Sequence, residues 1–140
     1  SSFKEISQKK FIFNYDQFSN VKKITKSIEI VYGLRNFIGN ANKFSKETIY
    51  INLKSDSEIT EITVEDDGNG YPKDVLSTIG EPYLKTKDPI EKTKTGLGLG
   101  LFIGKTLLEK NFASINCTNS KTRSGAEVVI KWNNKDLFNI

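Results

Sequence analysis

Three short stretches of the sequence carry residues that could bind a ligand. The first is a row of residues, most of them polar, that a helix would place on one face. Its members recur every three or four residues, and they are Glu29, Gly33, Asn36, Asn40 and Lys43. The amide oxygen of Asn40 suits a hard cation such as Mg²⁺, and Lys43, one turn further on, can reach a phosphate group. Because such rows are usually solvated helix faces, the meaning of this one depends on the other two stretches.

The second stretch follows an apolar strand pattern and has the sequence Asp66-Asp67-Gly68-Asn69-Gly70. A strand followed by a glycine turn is a common event, so the pattern alone is weak evidence. Gly68 and Gly70 allow a ligand to approach the backbone. The Asp66 carboxylate can then accept a hydrogen bond from it. An adenine amino group is a ligand that fits this description.

The third stretch is rich in glycine and precedes an amphipathic helix pattern, with Gly96, Gly98 and Gly100 at alternate positions. Backbone N–H groups at the start of a helix bind phosphate when no side chain blocks them. The stretch is not a Walker A loop, because no Gly-Lys-Ser/Thr closes it, and it lacks the strand-turn-helix context of a Rossmann fingerprint. The alternative is a glycine hinge in front of a core helix.

The segment between the second and third stretches lacks a sustained apolar period and carries several lysines. They are Lys85, Lys87, Lys92 and Lys94, with Asp88 and Glu91 among them. Long segments of this kind in compact domains are usually functional lids or disordered. We therefore expect residues 77–94 to be a mobile cationic lid over a triphosphate, although any single lysine is as easily a solvated side chain.

The elements that must position these stretches follow from hydrophobic periodicity. An apolar helical period runs from Ile30 to Phe44, and shorter helices are predicted after Pro72 and over residues 98–110. Strand alternation covers residues 11–15, 49–53, 62–65, 113–117 and 126–132. Because these strands alternate, helices should cover only one face of the sheet. The prediction is an α+β two-layer sandwich with about five strands and three helices on one face.

Length and composition limit the classes of protein to consider. The chain has 140 residues and a net charge of +4, which favours one domain, with residues 1–27 contributing a first strand to the domain of residues 28–140. Of the 21 basic residues only Arg35 and Arg123 are arginine, which argues against nucleic-acid binding. Apolar runs are too short for a membrane span, and no signal-peptide pattern is present.

Two residue types are decisive by their rarity. Cys117 is the single cysteine, so no internal disulfide is possible, and its alternating strand pattern predicts a small core residue. The chain contains no histidine. No histidine of this chain can therefore act as a base, a metal ligand or a phosphoacceptor.

Taken together, the three stretches resemble the N, G1 and G2 boxes of sensor histidine kinases, in the right order and at plausible separations. In chain order they read Asn36-x-x-x-Asn40-Ala41-x-Lys43-Phe44, Asp66-x-Gly68-x-Gly70 and Gly96-x-Gly98-Leu99-Gly100-Leu101. The resemblance covers about residues 28–132. It implies the GHKL, or Bergerat, ATP-binding fold that is shared with gyrase, Hsp90 and MutL.

A closer similarity is to RegB/PrrB-type sensors, which respond to redox state. It rests on residues 32–36, 80–86 and 102–109 and on the closing segment from Gly125 to Trp132. This resemblance implies a parent protein in the inner membrane of a bacterium, with the present chain as its cytoplasmic domain.

The resemblance also implies roles for individual residues. Asn40 would be the Mg²⁺ ligand, Asn36 would orient water or the phosphates, and Lys43 would meet the phosphates; these three form the predicted catalytic set. Phe44 would pack against adenine, and Asp66 would accept the adenine amino hydrogen. The other predicted nucleotide-binding residues are Gly68, Gly70, Lys85, Thr86, Lys94, Thr95, Gly96, Leu97, Gly98, Leu99 and Gly100.

The implied activity is transfer of the γ-phosphoryl group of Mg-ATP to a histidine on a dimerisation domain that this chain lacks. A response regulator would be the downstream partner, and the isolated domain would be a monomer. One alternative is a nucleotide-sensing module without phosphotransfer. The other is a GHKL ATPase, but Asn36 stands where such enzymes carry an acidic general base, and an amide cannot accept a proton from water.

Overall fold

The computed structural model describes residues 9–15, 28–79 and 98–137, which form five strands and four helices. In chain order they are β1 (Lys10–Tyr15), α1 (Ile28–Phe44), β2 (Thr48–Ser55), β3 (Ile59–Asp66), α2 (Lys73–Ile79), α3 (Gly98–Lys110), β4 (Ser114–Asn119), β5 (Ala126–Asn133) and α4 (Asn134–Leu137). The predicted order of elements is confirmed. The one-turn helix α4 was not predicted, because a single turn is too short to show a period.

The five strands form one mixed sheet in the order β1-β2-β3-β5-β4. The edge strand β1 runs parallel to β2, and all other neighbours are antiparallel. The register places Val64 opposite both Ile51 and Val128. Apolar side chains therefore line up across one face of the sheet, as the alternating sequence pattern predicts.

All four helices pack on that same face. The main buried cluster joins Phe37 of α1, Val75 of α2, Leu108 of α3 and Leu137 of α4 to Trp132 of β5. The α+β two-layer prediction is confirmed. Cys117 packs at the edge of this cluster, and burial raises its thiol pKa to about 12, so it is an inert core residue at neutral pH.

Helices α1 and α3 approach each other closely at two glycines. A Cβ atom on Gly33 would lie 2.7 Å from Cγ of Leu108, and one on Gly104 would lie 2.9 Å from Cε2 of Phe37. Larger residues would push the helices apart. The close contact brings Gly100, in the first turn of α3, beside the polar row of α1, which is how the fold joins two of the three predicted stretches.

The opposite face of the sheet is polar, and no helix of the described residues covers it. An open depression of about 480 Å³ lies there, lined by side chains such as Asn52, Thr63 and Glu127. At one side Arg123 lies 3.7 Å from the centre of the Tyr50 ring and 3.6 Å from the Glu65 carboxylate. Among the described helices, none is long and apolar enough to cross a membrane.

Candidate nucleotide-binding site

A small pocket opens between the last turns of α1, the end of β3 and the start of β5. It is lined by Asn40, Ala41, Phe44, Asp66, Gly70, Tyr71 and Ala126. Its enclosed space is about 20 Å³, close to the room that one water molecule needs. A purine ring is larger, so its entry requires lining side chains to move, and Phe44 is the most exposed of them at 37%. The larger depression on the polar face of the sheet holds none of the predicted residues.

Asp66 is the buried acid of this pocket. Its Oδ1 accepts the N–H of Gly68 at 2.8 Å and the N–H of Ala126 at 3.3 Å. Burial raises the pKa of the carboxyl, and the two N–H groups act in the opposite direction. In the described part of the chain no group donates to Oδ2, so this oxygen can accept a hydrogen bond from a ligand.

Three glycines lie around Asp66, and at two of them the neighbouring backbone leaves no space for a side chain. A Cβ atom on Gly68 would lie 2.2 Å from the carbonyl oxygen of Phe44, and one on Gly125 would lie 2.1 Å from the carbonyl oxygen of Asp66. Gly70 has a φ of 81°, which favours glycine. Gly68 and Gly70 were predicted as site residues. Gly125 was not, although a glycine in the turn directly before a core strand is a sequence signal that could have identified it.

Asn119 is a second residue that the sequence reasoning missed. Its Oδ1 accepts the N–H of Tyr71 at 2.6 Å, and its Nδ2 donates to the carbonyl oxygen of Tyr71 at 3.3 Å. The side chain thus ties the segment after Gly70 to the end of β4. No local pattern could show this, because the two residues meet only through the sheet order.

The polar row of α1 continues from the pocket toward the start of α3. A Cβ atom on Gly100 would lie 3.2 Å from Nδ2 of Asn40 and 3.7 Å from Oδ1 of Asn36. Asn36 donates through Nδ2 to the carbonyl oxygen of Tyr32 at 2.8 Å. Nδ2 of Asn40 is buried and has no hydrogen-bond partner within the described residues. A buried amide without a partner points to a bound ligand, and the row is therefore a candidate phosphate site.

Lys43 and Phe44 stand together at the end of the row. The Lys43 ammonium lies 5.2 Å from the centre of the Phe44 ring, a cation–π distance, and both side chains are exposed. Because both side chains are exposed at the end of α1, both have space to change orientation.

The residues present fit a Mg²⁺ ion only in part. Asn40 offers one amide oxygen once its side-chain amide is turned, and the described segments contain no group of three or more His, Cys, Asp or Glu side chains that could hold a metal ion. Mg²⁺ commonly keeps several waters and takes further ligands from substrate phosphates. One amide oxygen suits an ion whose remaining ligands are nucleotide phosphates and water.

Several predicted site residues lie outside the described residues, and their roles stay predictions. They are Lys85, Thr86, Lys94, Thr95, Gly96 and Leu97, together with residues 80–94 of the predicted lid. Gly98 and Leu99 form the first two positions of α3. Of the predicted phosphate-binding glycines, Gly100 is therefore the one whose surroundings are known.

The fold and the pocket define a class: a two-layer α+β domain in which a buried aspartate at a strand end faces the last turns of a helix that carries a row of amides. Residues 25–136 match the family described as histidine kinase-, DNA gyrase B-, and HSP90-like ATPase. The chain therefore belongs to this family of ATP-binding domains, and the resemblance to sensor histidine kinases is confirmed.

Individual relatives agree with this assignment. The sensor histidine kinase RegB of Cereibacter sphaeroides is 34% identical over 78% of this chain, and the putative sensor histidine kinase NtrY-like of Rickettsia bellii is 27% identical over 91% of it. The chain spans 27% and 20% of the lengths of these two relatives.

Solved structures share the fold. The mycobacterial sensor histidine kinase MprB matches with a TM-score of 0.68 at 20% identity, covering 94% of this chain and 86% of that one. The catalytic domain of histidine kinase ThkA, in a nucleotide-free form, matches with a TM-score of 0.67 at 20% identity, covering 90% and 78%.

Proposed function

We propose that this chain is the catalytic, ATP-binding domain of a two-component sensor histidine kinase and that it transfers the γ-phosphoryl group of Mg-ATP to a histidine. The observation that carries the proposal is that Asn40 lines the same pocket as Asp66. An adenine acceptor and a phosphate-side amide thus meet at one cleft, as a bound nucleotide requires. Similarity to RegB and to other sensor kinases supports the proposal.

Adenine recognition is assigned to Asp66. Its Oδ2 accepts a hydrogen from the exocyclic amine, while Gly68 and Ala126 hold Oδ1 in place. Guanine carries a carbonyl at that position, so two acceptors would face each other in a partly dry pocket. Phe44 packs against the ring from the open side.

The phosphates are assigned to the polar row of α1 and to the start of α3. Asn40 supplies an amide oxygen to Mg²⁺, Lys43 pairs with phosphate charge, and Asn36 orients water or phosphate oxygens. When bound, Mg²⁺ offsets the negative charge that develops on the transferred group. Backbone N–H groups near Gly98 and Gly100, and the lysines of the predicted lid, complete the phosphate site.

The domain positions the reacting groups and supplies no nucleophile of its own. Its sequence has no histidine, so the acceptor imidazole belongs to a dimerisation domain elsewhere in the parent protein. The imidazole nitrogen attacks the γ-phosphorus in line, and ADP leaves. Because Asn36 cannot take a proton from water, hydrolysis without the acceptor is expected to be negligible. The phosphohistidine then serves a response regulator.

The same proposal covers the domain boundary and the cellular setting. Residues 1–27 belong to the kinase domain, a division supported by the pairing of β1 with β2 at the edge of the sheet. The isolated domain is a monomer. The parent protein resides in a bacterial inner membrane, and this domain faces the cytoplasm.

The test is phosphotransfer in trans. The 140-residue chain is mixed with labelled Mg-ATP and a fragment of the parent protein that contains the acceptor histidine, and label on the fragment is measured. The matched controls are a fragment with the histidine changed to glutamine and the Asp56→Ala variant, which alters the turn at the far end of β3. Transfer only to the intact fragment, equal for wild type and Asp56→Ala, supports the proposal.

Two other results would replace it. Nucleotide binding without transfer to any acceptor fragment would indicate a nucleotide-sensing module. Steady release of phosphate in the absence of the fragment, at a rate that the fragment does not change, would indicate a GHKL ATPase.

A further inference from the structure

Asp67, the neighbour of the adenine-binding aspartate, makes a set of contacts that no predicted role accounts for. Its carboxylate accepts three successive backbone N–H groups from the segment that follows α1. The Oδ1 atom lies 2.8 Å from the nitrogen of Lys46 and 3.1 Å from that of Glu47, and Oδ2 lies 3.2 Å from Glu47 and 3.1 Å from Thr48. These N–H groups lower the pKa of Asp67 against the opposing effect of burial.

These contacts join the two halves of the nucleotide site at one junction. Lys46 follows within two residues of Phe44, the last residue of α1, and Asp67 follows directly on Asp66. At the same junction Gly68 packs directly against the carbonyl oxygen of Phe44, with no space for a Cβ atom. The end of the helix that carries Asn40 and Lys43 is thus fastened to the loop that carries the adenine acceptor.

We propose that Asp67 is a positioning residue that sets the spacing between the adenine pocket and the phosphate-binding row of α1. The inference rests on the proposed function, since it assigns adenine to Asp66 and phosphates to Asn40 and Lys43. A nucleotide has a fixed length between its base and its phosphates. The base and the phosphates can both make their best contacts only when the adenine pocket and the phosphate-binding row lie at a distance that matches this length.

The chemistry of the carboxylate suits this task. An ionised acceptor makes stronger hydrogen bonds to N–H groups than a neutral one does, and two oxygens shared among three donors fix the segment in direction as well as in distance. An amide at this position keeps one acceptor oxygen and loses the charge and the second oxygen. Asp67→Asn should therefore weaken the junction, and Asp67→Ala should release it.

A comparison of two ligands separates this role from a general structural one. Adenosine occupies only the adenine half of the site, whereas Mg-ADP spans both halves. For Asp67→Ala we expect the dissociation constant of Mg-ADP to rise about tenfold, the size expected for the loss of a charged hydrogen bond. The dissociation constant of adenosine should change by less than about twofold, because Gly68, Ala126 and Asn119 still hold its pocket. The Mg-ADP dissociation constant of Asp67→Asn should lie between those of the wild type and Asp67→Ala.

Asp56→Ala is the matched control. Asp56 also accepts two backbone N–H groups, those of Glu58 and Ile59, each at 2.8 Å, but it does so in the turn between β2 and β3. Its removal should lower stability and leave the ratio of the two dissociation constants unchanged. Both constants are measured by NMR titration of the 140-residue chain, well below the unfolding temperature that circular dichroism gives for each variant.

The outcomes are distinguishable. Equal weakening of adenosine and Mg-ADP, or no weakening of either, in Asp67→Asn or Asp67→Ala would overturn the positioning role. If Asp67→Ala does not fold, the ratio of the Mg-ADP and adenosine dissociation constants in Asp67→Asn alone tests the positioning role. A wild-type chain that binds neither ligand would refute the proposed function itself. If the wild type binds both ligands and the variants keep the same ratio of the two dissociation constants, only the positioning role of Asp67 is refuted.

Discussion

The proposed adenine end and the proposed phosphate end of the site are built in different ways, and they are called the adenine end and the phosphate end below. At the adenine end Asp66 is 4% exposed, its Oδ1 has two N–H partners, and Gly68 and Gly125 pack so tightly that neither position has space for a Cβ atom. At the phosphate end the described side chains lie along one helix face. Lys43 is exposed there, and the Asn40 amide nitrogen has no partner among the described residues.

The two ends therefore differ in how much of each is formed before a ligand arrives. The Asp66 carboxylate and the glycines packed around it are already in place, at the cost of a buried carboxylate with a raised pKa, although the pocket beside them must widen before a purine can enter. In the proposed function, the groups at the phosphate end find their partners in the substrate phosphates and Mg²⁺. Nucleotide binding should therefore be sensitive to changes in packing around Asp66, whereas phosphotransfer should depend on single polar groups that little else holds in place.

Gly125→Ala should have the largest effect, because it disrupts the packing of the adenine end. The new methyl group would lie 2.1 Å from the carbonyl oxygen of Asp66 and 2.2 Å from its Oδ1, so the carboxylate must move. We expect Mg-ADP binding to weaken at least about a hundredfold and the free energy of unfolding to fall by about 1–3 kcal/mol, as measured by calorimetry and urea unfolding.

The control for this prediction is Gly100→Ala at the phosphate end. The nearest atom to its new methyl group would be Nδ2 of Asn40 at 3.2 Å, a contact that a small side-chain shift relieves. Adenosine binding should stay within a few fold of wild type. Comparable loss of adenosine binding in both variants would show that the two ends are not built differently.

Asn40→Ala should separate transfer from binding. The other Mg²⁺ ligands come from phosphates and water, so loss of the amide misplaces the ion and leaves the adenine contacts intact. We expect Mg-ADP affinity to change by only a few fold while phosphotransfer to a supplied acceptor fragment falls by about two orders of magnitude. Near-normal transfer would remove Asn40 from the phosphate site.

Asp66→Asn should reduce the discrimination between bases. The wild type should bind ATP more tightly than GTP by about 10- to 100-fold, the equivalent of one mismatched pair of buried acceptors. The variant presents an amide that can offer either an acceptor or a donor, so ATP binding should weaken and the preference should shrink. Equal affinity of the wild type for ATP and GTP in calorimetry would refute the assignment of Asp66.

The sequence predicted the helices and strands better than it predicted the contacts between them. Periodicity located α1 and the four antiparallel strands. The spacing placed Asn36 and Asn40 on one face of α1, and the fold brings both close to Gly100.

Gly125 had a local signal, a glycine directly before a core strand, but its contact with Asp66 arises from the pairing of β5 with β3. Asn119 had no such signal, because its contact with Tyr71 arises from the place of β4 in the sheet. Such contacts depend on strand order, which local spacing does not encode.

Asp67 was missed as a functional residue for a related reason. The motif Asp66-x-Gly68-x-Gly70 gives this position no role, and its partners at residues 46–48 lie about twenty positions earlier in the chain. Two adjacent aspartates look equivalent in a sequence. The fold gives one a buried pocket and the other a row of backbone donors.

That contrast leads to the smallest predicted effect, which is on stability as a function of pH. Burial raises the pKa of Asp66, so its ionised form is less favourable in the folded than in the unfolded chain. This cost is present at neutral pH and disappears as the pH falls below the unfolded value of about 3.9. Backbone N–H groups lower the pKa of Asp67, and the stability that they provide is present above about pH 3.9 and is lost as the pH falls through the lower folded value.

The two amide substitutions should therefore change the stability of the empty domain in opposite directions. At pH 7 Asp66→Asn should raise the free energy of unfolding and Asp67→Asn should lower it, each by about 1 kcal/mol or less, since solvent screens the more exposed Asp67. Urea unfolding at pH 7, 5 and about 3.5 measures both differences. The Asp66→Asn difference should shrink toward zero at the lowest pH, because the raised pKa leaves that carboxyl mostly neutral there. The Asp67→Asn difference should persist at about pH 3.5, because the lowered pKa keeps the folded Asp67 carboxyl ionised. The opposite signs are the essential result. If both variants lower stability at pH 7, the buried Asp66 carboxylate carries no net cost of burial. If both raise it, the backbone N–H groups at Asp67 provide no net stability.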